Sequence, residues 1–263
     1  MARVIAVANQ KGGVGKSTTT QNLGFALAAR DRRVLLVDLD PQAALTVMCG
    51  VAPEGGGPSI ADCLAGTSTA AEAVVEARPG LGLLPGAAGL SAVESVGTRD
   101  RDGGNEVLLR HALAPLGRRY DVVLVDAPPN LGLLTANALA AAREVLIPVQ
   151  LDFLALNGLK ALLQTVDSVR EALNPGLRVS GILGTMHRGR ALHSAEVLDR
   201  LRERFGGLVF DTVVRSSVRF PEASAGGQAI LEYDPTSPGA LAYGALAEEV
   251  IARGTAHRAA QQR

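Results

Sequence analysis

Residues 4–20 read "VIAVANQKGGVGKSTTT": an apolar run of strand length over 4–8, then glycines at 12, 13 and 15, then Lys16 and four hydroxyl residues. The Ala/Leu-rich stretch that follows predicts a helix, so the glycines lie where a strand gives way to a helix. At such a junction glycine exposes backbone N–H groups, and the first helical turn adds unpaired donors and the positive end of its dipole. Together they make a cradle for phosphate. The spacing G-x-x-x-x-G-K-[ST] is met at Gly15, Lys16 and Ser17, but Gln10 stands at the first glycine position, and Lys11 is an additional cation. The residues assigned to a nucleotide's phosphates are Lys11, Gly12, Gly13, Val14, Gly15, Lys16, Ser17 and Thr18. A glycine turn with solvent-facing lysines is the plain alternative, and two acidic strand ends downstream weigh against it.

The same alternation recurs along the chain. Short apolar runs at 4–8, 34–37, 122–125, 145–149 and 179–183 predict strands, and helices are expected at 18–29, 131–141, 156–173, 194–205 and 240–252. Uninterrupted apolar strands alternating with helices predict a doubly wound, mostly parallel sheet flanked by helices, and the phosphate loop at 11–18 makes the expected α/β fold that of a P-loop NTPase. Gly206 and Gly254 stand just past two helix ends, where a left-handed cap residue is expected. Residues 50–58 read as a loop and 96–105 as a mobile connection, and strand-helix units resume after each. The expectation is one domain over 1–254 and a frayed polar tail over 255–263.

The two acidic strand ends are "VLLVDLDPQ" (34–42), which ends in Asp38 and Asp40, and "YDVVLVDAPPN" (120–130), which delivers Asp126. The carboxyl ends of parallel strands line the ligand crevice in such sheets. Magnesium takes oxygen ligands and keeps several waters, which assigns Ser17 to direct coordination and Asp126 and Asp40 to the ion's outer sphere. Asp40 is placed to orient an attacking water, and Asp38 to steady the loop. Lys+Arg and Asp+Glu are both 26, so the overall charge advertises no nucleic-acid partner and any such contact has to be a local patch. Cys49 and Cys63 lack metal-site spacing, which points to a reducing cytosol, and no stretch reads as a membrane span or a secretory signal.

With these motifs and "KGGVGKSTTTQNLGFALA", "VLIPVQLDFLALNGL", "GILGTM", "VRFPEA" and "ILEYDPTSPGALAYGALAEEV", the chain resembles the ParA/MinD family of deviant Walker-A ATPases, specifically its small Soj-like partition members. The resemblance implies ATP and Mg2+ as cofactors, ATP hydrolysis stimulated by DNA and a ParB-like centromere-binding partner, and a homodimer while ATP is bound. It implies that Lys11 is the signature lysine, crossing to the nucleotide of the other subunit, so that Lys11, Lys16 and Asp40 form the catalytic set. It places the adenine and DNA surfaces near "MHRGRALHS" and "VVRSSVRF", two stretches where this chain departs from the common pattern, and Met186 and Arg215 are assigned to the nucleotide there. A third departure, Ala43-Ala44 where Gly-Asn is frequent, reads as harmless. Chromosome or plasmid partition on the nucleoid, in the cytoplasm and away from membranes, is the implied role.

Residues 178–220 hold eight arginines against four acids, and Arg188, Arg190, Arg215 and Arg219 are the positions assigned to nonspecific duplex DNA. Arg200, Arg202 and Arg204 are equally explained by pairing with Glu196, Asp199 and Glu203 one turn away. The rivals are a ParA relative positioning another cargo, a MinD-like membrane-cycling ATPase, a nitrogenase-type iron protein and a phosphate-loop ligase. The residues after Ile251 lack the bulky apolar face of a membrane-binding helix, and both cysteines precede Asp126, where a shared cluster has no use for them.

Overall fold

Every residue of Val34–Asp38 and of Val122–Asp126 is buried, which requires helices on both faces of the sheet these strands belong to. A computed structural model describes residues 2–53, 55–96, 104–152, 155–187 and 192–261. Among them eight strands form one sheet: β1 (Arg3–Val7), β2 (Val34–Asp38), β3 (Val75–Arg78), β4 (Leu81–Leu84), β5 (Val122–Asp126), β6 (Glu144–Gln150), β7 (Arg178–His187) and β8 (Val209–Arg215). The order is β3-β4-β2-β5-β1-β6-β7-β8, parallel throughout except where β3 runs against β4. Alternate side chains enter two separate cores. Leu35, Val37, Val123 and Val125 join one, while Val34, Leu36, Val122 and Leu124 join the other with Leu23 and Leu27 of helix α1 (Lys16–Ala28).

The five predicted strands and five predicted helices are present, with ends shifted by a few residues at most, save for the last helix. That helix runs Pro238–Gln261, continuing through Gly254 and through most of the tail expected to be frayed. Gly254 is therefore not a cap. A Cβ there would come within 2.5 Å of the Arg3 guanidinium, so its missing side chain makes room for an arginine. Gly206 does end its helix in the left-handed region, with φ 51°. The predicted loop at 50–58 carries no helix or strand in its described residues, and the connection at 96–105 falls largely outside the described residues.

The opposite, amino-terminal edge of the sheet is tied by a buried carboxylate. Glu144 at the start of β6 accepts both prongs of Arg3, at 2.8 and 2.7 Å, and Nη2 of Arg178 at 2.7 Å, joining the first residues of β1, β6 and β7. Arg3 Nη1 also donates to the Val250 carbonyl at 2.6 Å, fastening the last helix. Removing one partner from a buried ion network leaves uncompensated charge. Glu144→Ala is expected to lower the unfolding free energy by about 3 kcal/mol in urea denaturation, and a change under about 1 kcal/mol contradicts this account of the edge.

Candidate functional site

The glycine loop leaves β1 in the centre of the sheet and enters α1. Gly13 and Gly15 have φ of 71° and 87°, conformations that side-chain-bearing residues rarely adopt, and a Cβ at either would meet nothing within 4 Å. The glycines are thus required by backbone conformation, and the space beside them is open. Gly15 caps α1 with no side-chain hydrogen bond, so the donors of the first turn remain available to an anion. Asn9 braces the loop, donating to the Pro148 carbonyl at 2.7 Å and accepting from the Lys11 amide at 3.0 Å. Thr185 of β7 donates to the Val14 carbonyl at 2.9 Å from the other side.

Lys16 is buried, 7% exposed, among the acidic strand ends. Burial lowers its pKa, while Asp126 and Asp40 hold its charge and oppose that shift. Register sets Asp38 of β2 directly opposite Asp126 of β5. Asp126 is fully buried, and its carboxyl is pushed well above the usual carboxylate range, by burial first and then by Asp38; Ser17 and Lys16 pull the other way. Among the described residues its Oδ2 has no hydrogen-bond partner. A buried, unpaired carboxylate oxygen beside the Ser17 hydroxyl fits a hard divalent cation, and among the described residues no cluster of His, Cys, Asp or Glu would hold a metal unaided. Asp38 is occupied differently: its Oδ2 accepts the Thr46 amide at 2.8 Å and the Thr46 hydroxyl at 2.7 Å, anchoring the short helix α2 (Ala44–Met48). Asp40 stands at the half-exposed end of the strand, accepting the Gln42 amide at 2.9 Å. Ala43, which precedes α2, has φ 50°, so the alanine read as harmless from sequence sits in a conformation that favours glycine.

Lys11 forms an ion pair with Asp152 of its own chain, and both side chains remain about one third exposed. Met186 and Arg215 line a cavity of about 320 Å³ together with Val14, Gly15 and Thr18 of the loop. Phe220 and Tyr243 also line it and meet edge to face at 5.9 Å. Neither aromatic was singled out in the sequence; the available signal was their rarity, since the chain has three tyrosines, five phenylalanines and no tryptophan. Met186 is held at φ 53°, a second strained position at this site. Of the other assigned arginines, Arg219 pairs with Glu222 at 3.0 Å, and Arg188 and Arg190 lie outside the described residues. Arg200, Arg202 and Arg204 are exposed and make none of the ion pairs expected with Glu196, Asp199 and Glu203 among the described residues.

A doubly wound sheet with this loop at the end of its central strand defines a P-loop NTPase. Residues 2–179 match the family model described as an AAA domain. The chain is 49% identical over 251 residues to the chromosome-partitioning ATPase Soj of Thermus thermophilus, covering 95% of this chain and 96% of that protein. It is 42% identical over 255 residues to the chromosome partitioning protein ParA of Caulobacter vibrioides, covering 95% and 94%. A crystal structure of cobyrinic acid a,c-diamide synthase from Mycobacterium smegmatis with bound ADP and magnesium superposes with a TM-score of 0.82 at 38% identity, over 94% of this chain and 93% of that one. The chain belongs to the ParA/Soj family of P-loop ATPases. Among its described residues no helix is long and apolar enough to cross a membrane.

The buried carboxyls give the ligand-free protein a defined pH response. Burial raises the Asp38 pKa from 3.8 to about 6, against the hydrogen bonds from Thr46. A carboxyl with a raised folded pKa keeps its proton longer in the folded chain, so stability falls as pH rises between those values and levels off above them. Asp126 acts in the same direction. Asp38→Asn is expected to make the urea midpoint less dependent on pH between about 4 and about 6 than in the wild type, and an equally steep dependence contradicts the assignment.

Proposed function

We propose that the chain is an ATPase that binds Mg·ATP in the glycine loop, pairs with a second copy of itself while ATP is bound, and binds DNA without sequence preference to partition a replicon with a ParB-like partner. The observation that carries this reading is the separation of the two loop lysines. Lys16 is buried among the acids at the cradle, whereas Lys11 is held at the surface by Asp152. In this reading the backbone donors from Gly13 to Thr18 hold the phosphates, and Lys16 neutralises them within one subunit. Ser17 reaches the ion directly, Asp126 and Asp40 hold its waters, and Asp40 orients the attacking water. Magnesium, when bound, supplies neutralisation of phosphate oxygens that the protein charges alone do not complete. Met186, Arg215, Phe220 and Tyr243 border the space beside the loop where a base fits.

Phosphoryl transfer depends on positioning and on charge stabilisation, so a cation withheld until a second subunit arrives makes hydrolysis conditional on pairing. Lys11 has to leave Asp152 to act on a partner's nucleotide. Arg219, the exposed Arg200, Arg202 and Arg204, and Arg188 and Arg190 form the DNA surface of this reading. Arg215 goes to the nucleotide side, because it lines the cavity at the loop. The role places the protein on the nucleoid in the cytoplasm.

The name of the Mycobacterium smegmatis structure favours a second reading, a ligase, which predicts turnover that depends on a small acid. ATPase assays with DNA and a ParB-like protein, against assays with small acids, separate the two. Lys11→Ala is expected to retain ATP binding and to lose stimulated turnover by a factor on the order of 10² or more, the scale of losing one transition-state donor; unchanged turnover rejects the role of Lys11. For Asp40→Ala, an ATP-bound pair that forms and persists is expected in gel filtration, and rapid hydrolysis by that variant removes Asp40 from the catalytic set.

A further inference from the structure

At the sheet edge opposite the glycine loop lies an arginine-lined cavity that nucleotide binding leaves unused. Its volume is about 350 Å³, and Arg3, Arg32, Arg33 and Arg118 line it with Asp121, Tyr120 and the apolar Leu27, Val122 and Ile251. A neighbouring hollow of about 380 Å³ shares Arg33 and Tyr120 and adds Arg119 and Glu76. The first lining carries four arginines against one acid in a chain whose formal net charge is zero, and one of them, Arg3, is neutralised by Glu144 behind it.

Some of these arginines have structural work. Cations gather where helices end, because the helix dipole is negative there. Arg30, which lies just past α1 and outside the cavity lining, shows this by donating to the Ala26 carbonyl at 2.9 Å and to Glu248 at 2.9 Å. Arg3 is committed to Glu144 and to the Val250 carbonyl. Arg33 grips Asp121 through two nitrogens, at 2.8 and 3.2 Å, and this pairing holds the Asp121 carboxyl down at about 2, so it stays ionised and keeps Arg33 in place. Arg32 and Arg118 differ. Both are exposed, and among the described residues neither guanidinium makes a hydrogen bond or an ion pair with a helix carbonyl or a carboxylate. Helix-end capping therefore does not account for them.

We propose that this cavity is a binding site for a small oligophosphate, a chain of two or more phosphate groups held by Arg32 and Arg118 beside the fixed Arg33–Asp121 pair. The planar guanidinium fork matches phosphate oxygens, and two guanidiniums left over after Glu144 holds Arg3 and Asp121 holds Arg33 call for a multiply charged anion rather than a single carboxylate. The concavity has the volume of a small-ligand site, whereas a duplex backbone needs an extended surface. The site stands apart from the glycine loop, and the proposal does not depend on the ATPase reading.

The test is calorimetric titration of inorganic tripolyphosphate at low salt into Lys16→Ala, which disables the loop, or into wild-type protein saturated with Mg·ADP should that variant fail to fold. Saturable binding is expected, weakened about 10-fold or more, about 1.4 kcal/mol, by adding Arg32→Ala and Arg118→Ala, and unchanged by adding Arg200→Ala and Arg202→Ala instead. The Arg32→Ala/Arg118→Ala chain with Lys16 intact keeps its unstimulated ATPase rate. A parallel titration with a nucleoside triphosphate names the source: tighter binding than tripolyphosphate means that the apolar lining holds an organic body, and equal binding means that the phosphate chain alone is recognised. Equal tripolyphosphate affinity with and without Arg32 and Arg118, or no saturable binding at all, overturns the proposal.

Discussion

The rest of the site depends on burying one cation among strand ends. Lys16 loses hydration on entering the protein, a cost of burial that only nearby carboxylates offset. Those carboxylates come from different parts of the chain, and parallel pairing of β2 with β5 and of β5 with β1 brings them to one edge. The sheet therefore does more than support the loop. It concentrates acids whose ionised forms burial disfavours, as the upward shifts of Asp38 and Asp126 show, and it leaves Asp126 Oδ2 without a hydrogen-bond partner among the described residues. A site with a buried, unpaired carboxylate oxygen favours a cation, and a cation bound there brings with it the phosphates it carries.

The second lysine obeys different physics. Lys11 keeps access to solvent and an exchangeable carboxylate partner, so moving it costs far less than moving Lys16. In the proposed reading, the buried lysine serves its own subunit's phosphates and the surface lysine serves a partner's, which would divide the loop into a binding function and a conditional one. The strained Ala43 and Met186 border the same region, one before the helix that Asp38 anchors and one beside the loop.

Much of this was legible in the sequence, for stated reasons. β1, β2, β5 and β6 are continuous apolar runs because both of their faces are buried, and the glycine loop is legible because its conformation tolerates few other residues. β3 and β4 escaped notice, since Val75–Arg78 is half exposed with a glutamate and an arginine among its four residues, and each strand of the pair is only four residues long. β8 at the sheet edge is only partly buried and includes the polar Asp211, Thr212 and Arg215, so its sequence reads as part of the basic stretch over 178–220. The aromatic wall of the cavity was hidden for another reason: Phe220 and Tyr243 sit on separate helices, Arg219–Ala225 and Pro238–Gln261, so the periodicity of no single segment shows that they meet. Gly254 misled because helix-ending glycines and glycines that admit a neighbouring side chain look alike in one sequence.

The basic character follows the same division. At the nucleotide edge Arg215 faces a cavity, and at the opposite edge Arg3, Arg33 and Arg178 are consumed by Asp121 and Glu144. The central claim remains that the loop carries one lysine for its own subunit and one for another. Sedimentation velocity of the wild-type chain with Mg2+ and a non-hydrolysable ATP analogue tests it most directly. The account predicts a shift from one chain to two that Lys11→Ala fails to make while still binding the analogue. A wild-type chain that binds the analogue and sediments as a single chain at every concentration contradicts it.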